Sequence, residues 1–582
     1  MPRRFVTFAV IWRLAKPYFF SEDRWAGRIL LAAVIAIELA IVGITVLLNL
    51  WNARFYNALQ DRNWDVFVRE LLFFSMLAAA FIVLAVYQLY LRQWLQIRWR
   101  TWMTRRYLGD WLADANHYRM QLLGDAADNP DQRIADDINL FVERGLYIGL
   151  RLLGAIVTLA SFAAILWALS ADAPLTLFGY DVGIPGYLLW IAVVYAAIGT
   201  ALAHWIGSPL IALNFLQQRY EADFRFNLVR VRENSEQVAL LKGETAEQER
   251  LFDRFGKVIA NWWQIMLRMK KLTFLTAGYS QTSVVVPILV VSPAYFAGRI
   301  QLGGLTQTAS AFTSVQDALS IIITIYRELA EWRSVIDRLD GFDRAMAEGQ
   351  AVATREPAIE VSQRAGEPAI AIDDLLVRLP NGTPLVAADK IVIGPDDRVL
   401  VSGPSGSGKS SLFRAIAGIW PFGAGRVTVP RGARLMMLPQ RPYFPVATLA
   451  VAVTYPAEAG HFTRDQLIET IAAVGLPALA ARLDEEAHWN RMLSLGEQQR
   501  LAIARALLQA PDYLFLDEAT ASLDEPAEAA LYRLLQGRLP GTTVVSIGHR
   551  ATLATFHRRR LTLTRDGDRY TVRESAIDTP AG

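Results

Sequence analysis

Hydrophobic residues in the first part of the chain form long runs, separated by polar stretches rich in arginine. A helix needs about twenty consecutive apolar residues to cross the hydrocarbon core of a bilayer. The runs therefore predict six membrane-spanning helices, at 28–50, 71–91, 146–169, 185–207, 272–298 and 304–326. Pro287 and Pro293 interrupt the fifth run, and the sixth is the weakest in hydropathy.

The basic residues between these runs predict how the helices are oriented. The connection between the second and third spans is rich in arginine, whereas the turn at 170–183 contains acidic residues and no Lys or Arg. Because basic residues collect on the cytoplasmic side, we expect both ends of the six-span domain in the cytoplasm. The two long cytoplasmic connections are helical in character and predict two hairpins that extend beyond the bilayer. Arg13 and Lys16 interrupt the N-terminal apolar run, which favours a surface helix contacting membrane lipid over a signal peptide.

Polar side chains within two of the spans have more than one interpretation. Gln307, Ser310, Ser314 and Asp317 share one face of the sixth predicted helix. Such a face contacts either a water-filled cavity or a neighbouring helix packed through small polar residues. Glu38 in the first span either lines a cavity or pairs with an arginine across the bundle.

Beyond residue 369 the pattern changes to short apolar strands alternating with helical segments, which is typical of an α/β fold. We therefore predict a membrane domain at 1–342, with its surface helix and long hairpins, and an α/β domain at 369–565. The segment 343–368, rich in Ala, Glu, Gln and Pro, is predicted to link them. Residues 566–582 are predicted to be a C-terminal tail.

The composition agrees with a membrane protein of more than one domain. The chain has 582 residues, too many for one core, with 53% hydrophobic and 20% charged residues. Its net charge of +3 is too small to predict nucleic-acid binding. The absence of cysteine excludes a disulfide, a thiolate metal site and a cysteine nucleophile.

The stretch Val399–Leu412, V-L-V-S-G-P-S-G-S-G-K-S-S-L, carries the most specific chemical signal. An apolar strand, a glycine-rich loop, Lys-Ser and a helix follow one another as in a phosphate loop, whose backbone N–H groups surround nucleotide phosphates. Lys409 is predicted to pair with these phosphates and the Ser410 hydroxyl to bind Mg²⁺. The predicted nucleotide contacts are Gly403, Pro404, Ser405, Gly406, Ser407, Gly408, Lys409, Ser410 and Ser411.

Three later strand ends carry side chains suited to phosphate hydrolysis. Gln440 ends one strand and is expected to reach both Mg²⁺ and the attacking water. Asp517 and Glu518 end another, where Asp517 is predicted to hold Mg²⁺ and Glu518 to act as general base on the water. His549 follows a third strand and is predicted to contact the γ-phosphate.

The sequence L-S-L-G-E at 493–497 predicts a second anion-binding helix N-terminus. One nucleotide does not need two such sites within one subunit. We therefore infer that Ser494 and Gly496 close over the γ-phosphate bound by a second copy, so that two nucleotides lie between two domains.

The phosphate loop, the three strand ends, L-S-L-G-E and A-S-L-D at 521–524 follow one another in an order that resembles the ATP-binding cassette of ABC transporters. The resemblance implies that the nucleotide is ATP, that Ser494, Gly496 and Glu497 bind it in trans, and that Asp524 lies at the dimer interface. A six-span domain before one cassette is similar to a half-transporter of the exporter-type fold, which works as a homodimer. Its hairpin tips would be coupling helices docked beside Gln440.

Motifs outside the cassette resemble those of the SbmA/BacA-like group and of subfamily D, the peroxisomal fatty acyl transporters. They are W-N-A-R-F-Y-N-A-L-Q at 51–60, N-P-D-Q-R-I at 129–134, E-A-D-F-R-F at 221–226, R-E-N-S-E at 232–236, G-E at 243–244 and S-I-G-H-R at 546–550. The resemblance to the first group implies uptake of antimicrobial or nodule-type peptides, bleomycin-like molecules or cobalamin across the bacterial inner membrane, with the cassette in the cytoplasm. The resemblance to subfamily D implies fatty acyl or lipid cargo. An ATPase merely anchored in the membrane is a third alternative, but it does not need six spans.

Two residues depart from the cassette pattern. Leu495 replaces the first glycine of the usual L-S-G-G-Q or L-S-G-G-E, while Ser494 and Gly496 remain. Leu379 occupies the position where an aromatic ring is expected to stack on adenine. Apolar contact would there replace ring stacking.

Overall fold

The computed structural model describes residues 8–124, 129–173, 175–177, 180–182, 184–321, 325–353 and 355–577. The chain divides into two compact units. A helical unit comprises Met1–Tyr107 and Asp131–Asp340, and a cassette unit comprises Leu108–Pro130 and Gly341–Gly582. The membrane domain predicted at 1–342 therefore includes one segment too many, because Leu108–Pro130 belongs to the cassette unit.

Long helices build the first unit. Its helices, together with the segment that leads to the cassette, are α1 (Phe8–Phe19), α2 (Arg24–Gln60), α3 (Trp64–Leu112), α4 (Asn116–Leu122), α5 (Ile138–Asp172), α6 (Tyr187–Glu233), α7 (Ser235–Leu240), α8 (Glu244–Phe296), α9 (Leu302–Leu319) and α10 (Tyr326–Val352). A π-helical turn, Arg133–Asp137, precedes α5, and a short hairpin, β1 (Leu175–Leu177) with β2 (Tyr180–Val182), follows it.

Among the described residues, five helical stretches are long and apolar enough to cross a membrane: Arg24–Gln60, Trp64–Leu122, Pro130–Asp172, Tyr187–Glu233 and Glu244–Phe296. They contain the first three predicted spans and all but two residues of each of the fourth and fifth. Pro287 and Pro293 lie inside α8 without ending it. The first part of the sixth predicted span, 304–319, lies in α9, an 18-residue helix that is not among these five. Part of the predicted span, 322–324, lies outside the described residues.

The polar face of α9 is partly used for helix packing. Within its unit α9 packs against α2, α5, α6 and α8. Gln307 is buried and donates through Nε2 to Asn49 Oδ1 of α2 at 3.2 Å, while Asn49 Nδ2 donates to the Gln307 carbonyl at 3.0 Å. At the start of α9, the Gly303 N–H donates to Asn57 Oδ1 at 2.8 Å. For Gln307, helix packing is therefore the correct alternative, and the 51–60 motif contributes Asn57 to this contact.

Glu38 on α2 has an uncharged partner. Its carboxylate accepts a hydrogen bond from Gln88 Nε2 of α3. It also faces Gly154 of α5, where a Cβ would overlap Glu38 Oε1. Of the two alternatives, pairing with an arginine is therefore not found, because the partner is an amide.

The N-terminal helix α1 is present as predicted from its interrupted apolar run. Tyr18 is fully buried and stacks on Trp99 of α3, with ring centroids 5.5 Å apart. Phe8 and Trp12 are exposed on the opposite side, with relative exposures of 77% and 50%. An aromatic face that is not covered by protein suits the membrane interface.

The predicted linker and tail are wrong at several points. Helix α10 continues to Val352, because the Ala, Glu and Gln residues of the predicted linker are good helix formers. Strand β3 (Glu360–Arg364) already pairs with the cassette sheet. At the other end, β14 (Arg569–Ala576) pairs with β13 (Arg559–Asp566), so the predicted tail 566–582 supplies a strand.

The cassette contains a ten-stranded sheet in the order β3-β7-β4-β5-β14-β13-β6-β12-β11-β8. Besides the strands already given it uses β4 (Ile370–Arg378), β5 (Pro384–Ile393), β6 (Arg398–Ser402), β7 (Gly423–Pro430), β8 (Leu435–Leu438), β11 (Tyr513–Asp517) and β12 (Thr543–Ile547). A separate pair, β9 (Ala447–Thr448) and β10 (Glu486–Ala487), is antiparallel. The helices are α11 (Lys409–Ile416), α12 (Leu449–Thr454), α13 (Arg464–Ala473), α14 (Trp489–Met492), α15 (Leu495–Gln509) and α16 (Glu525–Arg538).

The parallel part of this sheet gathers the functional positions. Strands β6, β12, β11 and β8 run parallel to one another. Their carboxyl ends therefore lie along one edge, which is where ligands bind in open α/β sheets. The phosphate loop follows β6, and Gln440, Asp517 and His549 lie at or just beyond the ends of the other three strands.

The first hairpin tip packs on the cassette within the second unit. Asn116 Nδ2 of α4 donates to the Met346 carbonyl at 3.1 Å, and Leu122 packs against the hydrophobic cluster that includes Leu412. Burial raises the pKa of Tyr118, and the nearby charge of Arg414 on α11 acts in the opposite direction. The second tip, α7, belongs to the helical unit. Docking beside Gln440 stays a prediction.

Candidate functional site

The phosphate loop has the backbone that its glycines allow. Gly403, Gly406 and Gly408 have φ values of 154°, 78° and 91°, in the region that favours glycine. A Cβ at Gly408 would come within 2.5 Å of Val386. The Lys409 ammonium donates to the carbonyls of Gly403 and Pro404, both at 2.9 Å, so it lies across the loop.

Charges around Lys409 oppose the effect of its burial. Burial lowers the pKa of the ammonium, while the carboxylates of Glu518 and Asp517 act in the opposite direction. Ser405 is exposed in the loop, and Ser411 is buried on α11. Lys409 is thus close enough to both acidic groups for the three charges to interact.

The side chains predicted to hold Mg²⁺ fit a magnesium site bound through oxygen. Ser410 Oγ donates to Asp517 Oδ1 at 2.9 Å. Ser407 Oγ is buried without a hydrogen-bond partner among the described residues, which leaves an oxygen facing the loop free for a ligand. Those residues contain no group of three or more His, Cys, Asp or Glu able to hold a metal. A hydroxyl and one carboxylate agree with Mg²⁺, which usually takes one or two carboxylates and completes its shell with phosphates and water.

Burial changes the ionisation of Asp517. Its pKa is raised, mainly by burial, although the hydrogen bond from Ser410 and the positive charges of Arg414 and Lys409 lower it. The nearby carboxylate of Glu518 also raises the pKa of Asp517, and two adjacent carboxylates together favour a bound cation. Binding of a cation would lower this pKa again.

Glu518 lies between the other two strand-end residues. Gln440 Nε2 donates to Glu518 Oε2 at 3.2 Å, and His549 Nε2 is 3.2 Å from Glu518 Oε1. The structure thus brings all three predicted catalytic residues together. Glu518 also has a φ of 51°, uncommon for a residue with a side chain. Its carboxylate can accept a proton from a water held at this edge.

Sequence reasoning missed the residues that fix the segment after Glu518. Thr520 Oγ1 donates to Glu528 Oε1 at 2.5 Å. Arg550, next to His549, donates to Glu528 Oε2 and to the Ala521 carbonyl, each at 3.3 Å. Glu528 lies four residues beyond Asp524 on α16, and an isolated Glu in a helix gives no signal of such a role.

Helix α15 follows Ser494 of the L-S-L-G-E sequence and is called the signature helix below. It begins where the sequence predicts, but Glu497 has a partner within the helix itself. Ser494 caps the helix: its Oγ accepts from the Glu497 N–H at 3.3 Å, and the Glu497 carboxylate accepts from the Ser494 N–H at 2.8 Å. Glu497, predicted as a nucleotide contact, thus forms a capping box within its own helix. Asp524 Oδ1 likewise caps α16 by accepting from the Ala527 N–H at 3.0 Å. A Cβ at Gly496 would lie 3.3 Å from the Leu523 side chain, so a larger residue has little room there.

Leu379 lies where the sequence places the adenine contact. It follows β4, and its N–H donates to the Thr383 carbonyl at 2.8 Å. The side chain is partly buried and packs against the cluster that includes Val386, next to the phosphate loop. An aliphatic surface therefore adjoins the loop at this point.

Comparison with known proteins identifies both the helical region and the cassette. The family model "ABC transporter transmembrane region 2" matches residues 14–296, and the model "ABC transporter" matches 389–521. ABC transporter D family member 2, chloroplastic, of Arabidopsis thaliana is 34% identical, over 95% of this chain and 85% of its own length. The inner membrane ABC transporter ATP-binding protein YddA of Escherichia coli is 33% identical, over 92% and 94% respectively.

This chain belongs to the ABC transporters. It is an ATP-hydrolysing membrane transporter in which a helical transmembrane domain and an ATP-binding cassette are fused, homologous to subfamily D. The mouse lysosomal cobalamin transporter ABCD4 is 26% identical to it, over 87% of this chain and 86% of that protein. A bacterial Atm1-family ABC exporter with ATP bound has the same fold, with a TM-score of 0.70 at 17% identity over 93% of this chain and 94% of the other. The predicted exporter-type fold is thus confirmed.

Proposed function

We propose that this ABC transporter is a homodimer that closes its cassettes on two ATP molecules. Closure would drive uptake of peptides or other large hydrophilic solutes across the bacterial inner membrane. The homodimer is supported mainly by one observation: the second hairpin tip has an exposed apolar surface. The SbmA/BacA-like motifs support peptides as cargo.

The second hairpin tip exposes apolar surface that a second copy would cover. Leu240 and Leu241 at the end of α7 have relative exposures of 75% and 82%. Beside them is a groove of about 470 Å³ between α6 and α8, lined mainly by apolar side chains: Phe224, Leu228, Val231, Leu251, Phe252 and Phe255. Because large apolar patches are costly in water, and the first tip packs in its own cassette unit, the partner's cassette is the proposed occupant.

The strand-end residues would perform hydrolysis. Glu518 is the proposed general base, accepting a proton from the attacking water, and its bonds to Gln440 and His549 orient its carboxylate. Lys409 would pair with the phosphates. Mg²⁺, held by Ser410, Asp517 and Gln440, would neutralise charge that develops on the phosphate oxygens.

The cargo proposal is supported by α9. Asp317 is an exposed carboxylate on this helix, which packs against four others in its unit. A carboxylate is costly in lipid, so it favours a water-filled opening. A relative named as a cobalamin transporter also supports a large hydrophilic solute.

Acyl or lipid cargo is the second candidate, favoured by the homology to subfamily D. It requires an apolar path open towards lipid, in which a carboxylate such as Asp317 would be unfavourable.

Transport into liposomes would decide between these cargoes. Purified protein is reconstituted with the cassette outward, and flux of a labelled peptide, cobalamin and an acyl-CoA is followed with and without ATP. We expect peptide or cobalamin to leave the lumen, since uptake into a cell corresponds to movement towards the cassette side. Glu518→Gln is the control: it should abolish flux and accumulate a nucleotide-bound dimer. ATP-dependent movement of acyl-CoA alone, or an unchanged ATPase rate in that variant, would contradict the proposal.

A further inference from the structure

Gln499, one turn into the signature helix α15, makes two hydrogen bonds to separate parts of the hydrolytic site. Its side chain is completely buried. Nε2 donates to the Gln440 carbonyl at 3.0 Å, and Oε1 accepts from the Ser522 N–H at 3.0 Å. A carbonyl can only accept and an N–H can only donate, so these partners determine the orientation of the amide. Both ends of the side chain are therefore used.

Each of the two bonded segments leads to Glu518. Gln440, whose carbonyl Gln499 holds, donates through its own side chain to Glu518 Oε2 at 3.2 Å. Ser522 is four residues after Glu518, in the segment fixed from its other side by Glu528 and Arg550. A displacement of Gln499 would therefore move both the donor to Glu518 and the chain that follows it.

Gln499 also shares a helix with the residue proposed to contact the other ATP. Ser494 is the N-cap of α15, five residues earlier, or about 7.5 Å along the helix axis. A helix of this length moves as a rigid element. A displacement of α15 at Ser494 would therefore also displace Gln499, and with it Gln440 and Ser522.

We propose that Gln499 is a positioning residue that couples the two ATP sites. When Ser494 binds the phosphate of the partner's ATP, α15 moves, and Gln499 brings Gln440 and the Ser522 segment into place around Glu518, which acts on its own subunit's ATP. This inference rests on the homodimer proposed above. It assigns to Gln499 no contact with nucleotide.

The neighbouring Gln498 provides a matched control. It is also buried, with a relative exposure of 7%. Its amide bonds remain local: Nε2 donates to the carbonyls of Asn490 and Leu493 at 3.0 and 2.8 Å, and Oε1 accepts from Asn490 Nδ2 at 3.1 Å. Replacing either glutamine by leucine removes a buried amide from α15, but only one replacement breaks the bonds to Gln440 and Ser522.

The test compares the ATP dependence of hydrolysis by the full-length wild type, Gln499→Leu and Gln498→Leu, with a melting temperature for each. We expect a wild-type Hill coefficient above one. Gln499→Leu should reduce it to one and lower kcat roughly tenfold, as loss of a buried hydrogen bond implies, with KM nearly unchanged because the phosphate loop is intact. Gln498→Leu should keep the Hill coefficient of the wild type even if it melts earlier.

Gln499→Met extends the test if the leucine variant does not fold. Methionine is close to glutamine in size and shape but can neither donate to the Gln440 carbonyl nor accept effectively from the Ser522 N–H, so cooperativity should again be lost. Cooperativity retained in the Gln499 variants, or lost equally in Gln498→Leu, would overturn the inference, as would a dimeric wild type with a Hill coefficient of one. A wild type that is monomeric by light scattering in the presence of ATP would instead refute the proposed homodimer.

Discussion

Mild acid should lower the stability of the folded cassette through His557, a buried histidine close to the sheet edge that carries the catalytic residues. Nδ1 lies 2.7 Å from the Leu553 carbonyl, and Nε2 lies 2.9 Å from Ser546 Oγ. Since the carbonyl only accepts, Nδ1 carries the proton and Nε2 accepts from the Ser546 hydroxyl. The Tyr532 hydroxyl donates in turn to Ser546 Oγ at 3.0 Å. The chain of hydrogen bonds thus requires a neutral imidazole.

Protonation of His557 is unfavourable in the folded protein. Burial lowers its pKa from 6.5 to about 4, with a smaller contribution in the same direction from the charge of Arg398, while the hydrogen bond to Leu553 raises it. A second proton at Nε2 would face a hydroxyl that already donates there. Ser546 belongs to β12, the strand that leads to His549, so protonation of His557 would disturb the sheet close to the catalytic residues.

The pKa shift gives both the sign and the size of the effect. The folded pKa lies below the unfolded value, so the unfolded chain binds the proton more readily. Stability is therefore unaffected above about pH 6.5 and falls as the pH decreases towards 4. The loss from this residue is about 1.4 kcal/mol at pH 5.5, approaching about 3 kcal/mol near pH 4. For a domain of about 200 residues, 1.4 kcal/mol corresponds to a decrease of roughly 3–6 °C in melting temperature.

His557→Gln should remove this sensitivity while keeping both hydrogen bonds, because an amide can donate to Leu553 and accept from Ser546. Melting temperatures of the cassette transition are compared at pH 7.5 and 5.5 for the wild type, His557→Gln and His461→Gln, whose histidine is exposed. We expect the wild type and the His461 variant to lose several degrees more than His557→Gln. Equal losses in all three proteins would show that His557 does not titrate in this range and would refute the reasoning.

Two further substitutions test the nucleotide and helix contacts. Leu379→Tyr should lower the KM for ATP about threefold to tenfold by restoring a ring to stack on adenine, and the steady-state rate measures it; an unchanged KM would place adenine elsewhere. Gly303→Ala should destabilise the helical unit by about 1–3 kcal/mol, because a Cβ there would overlap the Ala53 carbonyl oxygen of α2. Gly304→Ala is its control, since its nearest neighbour is 3.6 Å away; similar melting temperatures for both variants would rule out the close approach of α2 and α9.

The parts predicted well from sequence are those whose signal is local. The phosphate loop combines strand, glycines, Lys409 and helix within a few residues, and its backbone requires those glycines at positive φ. Five spans are predictable because a long apolar run is itself the signal. The sixth span gives a weaker hydropathy signal because polar residues such as Gln307 interrupt its apolar run. The hydrogen bond between Gln307 and Asn49 joins two different helices, so the spacing of residues along one helix cannot predict it.

The errors at the domain boundaries also have physical causes. The polar residues of 343–352 indicate a linker, whereas the helix formers among them and the burial of Ala345 and Met346 favour the helix that is found. Strand β14 has only two core-facing residues, Tyr570 and Val572, among polar and charged ones, and its place in the sheet comes from pairing with β13 and β5. The hairpin tip at 108–130 joins the cassette unit through contacts such as that of Asn116 with Met346, more than two hundred residues away in the chain.

Side chains outside the catalytic motifs hold the segment that follows β8. Beyond Gln440 the chain is held by helical side chains: Arg505 of α15 donates to the Tyr443 carbonyl at 3.0 Å, and Asn490 of α14 donates to the Pro442 carbonyl at 2.7 Å. Strand β8 itself ends at Leu438. Gln440 therefore stands where the chain passes from the sheet to the helices, while Glu518 remains attached to strand β11. In the coupling proposed above, a movement of α15 relative to the sheet would therefore act on the bond between Gln440 and Glu518 and so alter hydrolysis.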